Sequence, residues 1–174
     1  MTTTTAPAPR TYRFFGFPDP VNEVSARLVA AGVVTMAVAA VLLDWRWLTP
    51  VLAYGFVARV LTGPKASPLG QLVTRVVTPR LNAAPKYVPG PPKRFAQAVG
   101  VVFSITALVL TIAGAWTAAQ VVLLLLATAA FLEAAFALCL GCKAFALLMR
   151  AGVIPPEVCE RCNDIWATGR SVAD

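Results

Sequence analysis

The sequence predicts an all-α integral membrane protein with four transmembrane helices, an amphipathic interfacial helix between spans two and three, and a short C-terminal cytosolic helix. Three observations carry that prediction. Charged residues make up only 13% of the 174 residues, where a water-soluble domain carries about 25%. Mean hydropathy is +0.72, with apolar residues gathered in runs of about 20, the length that crosses a bilayer. Six of the 15 basic residues gather in one proline-rich loop, as they do beside membrane spans. Lipid tails are as apolar as leucine, so packing of small side chains must hold such helices together.

Residues 1–11 are polar, low in complexity and proline-bearing, and read as a disordered tail. A membrane domain follows over 12–150, and 151–174 is a cytosolic C-terminal segment carrying the second of two CxxC pairs. Tyr12 to Pro20 is aromatic and broken by prolines, suited to the interfacial layer. The first span runs from Asn22 to Leu43 and offers a small-residue face of Ala30, Ala31, Gly32, Ala37, Ala39 and Ala40. Asp44-Trp45-Arg46-Trp47 makes a short turn with interface tryptophans. The second span, Trp47 to Thr62, is short and contains Arg59, and Gly63-Pro64 ends it.

Between Ser67 and Leu81 the apolar positions Leu69, Leu72, Val73, Val76, Val77 and Leu81 recur at spacings of three and four. This is the pattern of an amphipathic helix on the membrane surface, or of one packed against the bundle. The third span is Phe95 to Gly114. The fourth begins near Trp116 and stays apolar to Met149, which as one helix would be roughly 50 Å long against a hydrocarbon core of about 30 Å. The excess must leave the membrane, which puts Cys139 and Cys142 at its boundary.

The formal charge is +7. Basic residues beside spans set orientation and touch anionic lipid, so the lipid bilayer is the expected partner and nucleic acid is not. The loop after span two holds six basic residues, Lys65, Arg75, Arg80, Lys86, Lys93 and Arg94, and no acidic one. By the positive-inside rule both termini are cytosolic and the protein sits in the cytoplasmic membrane. All four cysteines then face a reducing compartment, where structural disulfides are disfavoured.

Those cysteines, Cys139, Cys142, Cys159 and Cys162, fit C-x2-C-x16-C-x2-C, and the chain has no histidine. Two readings of the set stand. In the first, the pairs do thiol exchange or sulfur transfer. Pro155-Pro156 starts a helix that puts Cys159 in its first turn, where a thiolate is favoured, so Cys159 is the expected nucleophile. Cys162 or the Cys139/Cys142 pair then resolves it. In the second, four thiolates close a structural zinc site on a non-enzymatic membrane anchor. A helical hairpin over this region would leave the two pairs offset by roughly 6 Å unless a helix unwinds. Packing as small apolar residues and binding of another metal or cluster are the remaining readings, and any cofactor other than zinc is unknown.

Glu133 is the one acidic residue deep in a span, and charge there must be paired. Arg59 and Arg27 reach similar depths, so a buried Glu133–Arg59 bridge, with Arg27 nearby, is expected to fix helix register; a proton or ion path is the alternative. On a continuous helix, Glu133 and Cys142 point to opposite sides.

At Phe95-Ala96-Gln97-Ala98-Val99-Gly100, Leu132-Glu133-Ala134 and Leu138-Cys139-Leu140-Gly141-Cys142-Lys143, the chain resembles an uncharacterised bacterial domain-of-unknown-function family of small four-span membrane proteins with a Cys-Leu-Gly-Cys motif. The resemblance covers Asp19 to Met149. It implies a place near thioredoxin-like or rhodanese-like proteins, and hence thiol or sulfur traffic with such a soluble partner.

Overall fold

A computed structural model describes residues 20–81 and 86–154. The N-terminal tail, the expected C-terminal helix, Cys159 and Cys162 lie outside the described residues.

Two short strands, β1 (Val21–Asn22) and β2 (Tyr87–Val88), pair antiparallel with Val21 opposite Val88. They tie together the starts of two long helices. Helix α1 (Glu23–Leu42) is capped by Asn22, whose side chain accepts from the Val24 N–H at 3.0 Å. Glu23 in its first turn complements the helix dipole and pairs with Lys86 at 2.9 Å. Asp44, in the left-handed region at φ 54°, turns the chain into α2 (Leu48–Thr62). With 15 residues α2 is about 22 Å long, less than the hydrocarbon thickness.

The segment after α2 is helical in four pieces: a 3-10 turn (Gly63–Lys65), α3 (Pro68–Leu72), a π-helical turn (Val73–Val77) and α4 (Thr78–Arg80). Of the two placements open for this amphipathic stretch, the structure shows one face packed on the bundle. Leu69 lies so close to Gly32 of α1 that a Cβ there would meet its Cδ1 at 2.7 Å. Val73 is buried, and the Ser25 and Thr78 hydroxyls share a hydrogen bond of 3.0 Å.

Helix α5 (Gly90–Ile112) starts at Gly90, five residues before the expected Phe95, because Pro91 and Pro92 suit the first turn, where no N–H partner is needed. Lys93, counted from the sequence among loop residues, is therefore inside the helix and 7% exposed. Gly114, at φ 78°, makes the tight turn into α6 (Trp116–Phe136).

Around the bundle α1 packs on α6, α6 on α5, and α5 on α2. The contacts are made largely by small residues, with Ala37, Ala40, Ala107 and Ala119 all fully buried around Val33, Leu52, Phe56 and Leu123. Among the described residues three helices, α1, α5 and α6, are long and apolar enough to cross a membrane. Their outward faces carry Val102, Val109, Ile112, Val121, Leu124 and Leu125 exposed. So large an apolar exterior is compatible with lipid and not with water. At one end Trp116 donates its indole N–H to Asp44, with the Arg46 guanidinium 5.2 Å from the Trp116 ring centre. The opposite end gathers the starts of α1 and α5 and the ends of α2 and α6, and here lie the ionisable groups inside the bundle.

The expected single helix from Trp116 to Met149 is two helices. Ala137 adopts the left-handed conformation at φ 55°, ending α6, and α7 (Leu140–Arg150) starts after an extended Cys139. A left-handed alanine costs about 1–2 kcal/mol, and the break is held by partners for the carbonyls near the helix end. The Leu132 carbonyl accepts from the Leu138 N–H at 3.1 Å and the Glu133 carbonyl from the Ala137 N–H at 3.0 Å. Arg27 donates to the Ala134 and Ala135 carbonyls, each at 3.0 Å. Four end carbonyls that water or a further turn would otherwise take are thereby filled. Helix α7 then lies against α5, with Phe145 buried beside Phe95 at a ring separation of 5.7 Å.

Candidate thiol site at the helix break

The break reverses the electrostatics expected for the first cysteine pair. On one long helix Cys139 and Cys142 would sit near the C-terminal end, where the dipole opposes a thiolate. Instead Cys139 is the N-cap residue of α7, at φ −82° and ψ 104°, and Cys142 is in the first turn. A helix N-terminus favours the thiolate. Both thiols are free, Cys139 buried and Cys142 partly so.

The two sulfurs interact directly. A hydrogen bond from the Cys142 thiol holds the Cys139 thiol below its usual range, with Lys93 helping, against the pull of burial and Glu133. The Cys142 backbone amide acts in the same direction without forming a side-chain capping bond. Cys142 is pushed up, first because it is the donor in that hydrogen bond and then by burial. The pair is thus divided into a thiol favoured as thiolate, Cys139, and a proton-bearing partner, Cys142.

Gly141 explains how the pair comes so near α5. A Cβ at that position would lie 2.6 Å from both Cα and Cβ of Ala96. No larger residue fits there without moving α7 off α5, so the glycine inside the CxxC is a packing requirement.

The ion pair differs from the one expected. Glu133 bonds Lys93, at 2.5 Å, and both side chains are largely buried. Arg59 reaches Glu133 only through space. Its Nε donates to the Gln97 side-chain oxygen at 3.0 Å and its Nη1 to the Ser67 hydroxyl at 3.2 Å, and its guanidinium lies 4.4 Å from the Phe56 ring centre. Arg27 caps α6 and is not part of the pair. Lys93 wins because α5 begins early enough to bring its short reach alongside α6, while the end of α2 presents Arg59 to α5 and to Ser67. Lys93 is the site residue that sequence reading missed. The available signal was Pro91-Pro92, which starts a helix before the lysine rather than after it.

With the helix broken, Glu133 and the cysteines are no longer on opposite sides of one rod. Glu133, Cys139, Arg59 and Gln97 line one cavity of about 300 Å³ between α1, α2, α5, α6 and α7. Lys93, Arg59 and Gln97 also line a second cavity, of about 230 Å³, toward β1 and the α3 segment. Arg59 and Gln97 form the wall shared by the two.

Two cations, Arg59 and Lys93, stand here against one carboxylate, Glu133. A Cys139 thiolate brings the cluster to neutrality, which a buried group of charges needs.

The model of a family described as a domain of unknown function (DUF4395) matches residues 21–150. The chain belongs to this family. The match spans the whole bundle, both partners of the Lys93–Glu133 pair and the Cys139–Cys142 motif. No curated protein and no solved structure matches the chain.

As a zinc site, the described residues offer two ligands, Cys139 and Cys142, and no group of three or more potential ligands occurs among them. A four-thiolate shell needs Cys159 and Cys162, which lie outside the described residues.

Proposed function

We propose that this is a membrane thiol-redox or sulfur-relay protein, in which Cys139 exchanges electrons or sulfane sulfur with a soluble thioredoxin-like or rhodanese-like partner. The observation that carries the reading is the position of Cys139 as N-cap of α7, hydrogen-bonded by the Cys142 thiol and near Lys93. A buried structural cysteine has no need of that arrangement.

The step is a thiol–disulfide exchange. The Cys139 thiolate attacks one sulfur of the partner's disulfide, and the other sulfur leaves as a thiolate. Cys142, giving up its proton, then attacks Cys139, releasing the reduced partner and leaving a Cys139–Cys142 disulfide. With a persulfide donor, Cys139 accepts the outer sulfur and the donor thiol leaves; attack by Cys142 then gives the same disulfide and hydrosulfide. Cys159 and Cys162 are the second pair with which this disulfide would trade. In this reading α2 is the fourth span, the ionisable end of the bundle is cytosolic, and α7 runs along that face.

The test is to equilibrate the purified full chain in dithiol/disulfide buffers and map its disulfides by mass spectrometry. The expected result is a reversible Cys139–Cys142 disulfide, and a mixed disulfide with a thioredoxin-like protein that accumulates in the Cys142→Ser variant. Thiols that stay reduced across the series, or one zinc per chain with all four thiols blocked, would remove the reading.

A further inference from the structure

The cavity beside Cys139 holds more than the exchange reaction uses. Most of its wall is apolar, including Val33, Phe56, Phe103 and Leu126, and its polar groups are concentrated at one end. Leu125, one of its lining residues, is 56% exposed on the same face of α6 as Val121 and Leu124. That face is turned to lipid, so a ligand enters from the bilayer. At about 300 Å³ the cavity is at the small end of the range for organic ligands.

At the inner end Arg59 is 5% exposed. A guanidinium has five N–H donors, and among the described residues its hydrogen-bond acceptors are Gln97 and Ser67. Donors therefore remain for oxygen acceptors on a ligand, and burial makes such bonds strong. Besides Gln97 and the Glu133 carboxylate, which Lys93 holds, the polar lining includes Cys139, whose sulfur is one half of a dithiol able to give up two electrons. A ligand matching all three features is lipid-soluble, carries hydrogen-bond-accepting oxygens at one end, and accepts two electrons.

We propose that this cavity binds a quinone from the bilayer and that the Cys139–Cys142 dithiol reduces it. The proposal rests on the thiol-redox reading of the pair and names its membrane-side substrate class. The balance is complete: the dithiol loses two protons and two electrons and forms one S–S bond, and the quinone takes up both to become a quinol. Arg59 and Gln97 position the ring oxygens, Phe56 forms an aromatic wall, and the tail leaves past Leu125. The soluble partner, in its dithiol form and by the reverse of the exchange written above, then re-reduces the disulfide and becomes oxidised itself, so that electrons pass from a cytosolic dithiol to the membrane pool.

The experiment uses the full chain in lipid nanodiscs, reduced, freed of reductant and kept anaerobic, with a short-chain ubiquinone as probe. One quinol formed per chain, with loss of two thiols mapped to Cys139 and Cys142, is the expected result. Ala129→Phe, which fills the cavity from α6 without touching the thiols, raises the quinone concentration for half-maximal rate about tenfold or more, equivalent to about 1.4 kcal/mol. Exchange of the same variant with a dithiol probe stays unchanged. If the wild type exchanges with the dithiol probe but does not reduce quinone, the proposal fails and the thiol-redox reading stands. Failure of both reactions sinks both. Quinone reduction that Ala129→Phe leaves untouched places the electron acceptor elsewhere and overturns the cavity assignment.

Discussion

Replacing Lys93 by methionine isolates the charge that most distinguishes this site from a pair of buried thiols. The substitution keeps the apolar stem and removes the ammonium. Two changes then act on Cys139 with the same sign: the cation that favours its thiolate is gone, and Glu133, which opposes it, loses its partner. An opposite charge within about 4–6 Å lowers a pKa by about 1–3 units. Lys93 already spends part of its field on Glu133, so the Cys139 thiol rises toward its usual range by less than an unshared cation would give. Below its pKa a thiol reacts in proportion to its thiolate fraction, so Cys139 alkylation at fixed neutral pH slows by about tenfold, the lower end of what a neighbouring cation is worth. Glu133→Gln must move the profile the other way, toward lower pH. The double variant, with neither charge, falls between them, and it separates the electrostatic effect from the cost of leaving one charge buried alone, about 3–5 kcal/mol. The assay is the pH dependence of iodoacetamide labelling at Cys139, mapped by peptide fragmentation with Cys159 and Cys162 changed to serine. Shifts of the same sign in the two single variants would refute the electrostatic account, as would no shift in either.

Four further outcomes follow from the same geometry. Cys142→Ala removes the hydrogen bond that is the largest cause of the low Cys139 position, so Cys139 labelling moves to higher pH. Gly141→Ala drives a Cβ to 2.6 Å from the Ala96 backbone and costs about 1–3 kcal/mol by overpacking; thermal unfolding in detergent measures the loss. At the break, Ala137→Gly relieves the left-handed strain and stabilises by about 1 kcal/mol. Arg27→Met leaves the Ala134 and Ala135 carbonyls without their donor and destabilises by about 1–3 kcal/mol, and the two variants are compared in the same unfolding assay.

Apolar runs and their punctuation made the membrane character, α1, α6 and the helical stretch after α2 legible from the sequence. Helix starts were legible where their chemistry is local, as at Asn22 before α1 and Ser67-Pro68 before α3. Pro91-Pro92 carried the same kind of signal for α5, and reading Lys93 as a loop residue hid it. The partner of Glu133 depended on that one boundary. Moving the start of α5 from Phe95 to Gly90 takes Lys93 out of a topology-setting loop and puts it against α6. Arg59 is buried, but which of several cations meets a buried carboxylate depends on the rotation of each helix about its axis, and hydropathy does not encode that rotation.

The helix break was harder to see, for a physical reason. Nothing between Trp116 and Leu140 is a proline or glycine, and Ala137 has the highest helix propensity of any residue. The break exists because Arg27, 107 and 108 residues away from the carbonyls it caps, supplies a terminus that the local sequence does not. A tertiary contact thereby creates a helix N-terminus immediately before Leu140-Gly141-Cys142, and Gly141 lets that new helix settle against Ala96 beside Lys93. The reactivity assigned to Cys139 is therefore a property of the bundle and not of the CxxC motif alone. The same four residues on the uninterrupted helix would put both sulfurs in the unfavourable field of a C-terminus. Arg27 consequently couples the site to the fold: loosening its grip on α6 lets α6 and α7 merge, and the thiolate position is lost with the break.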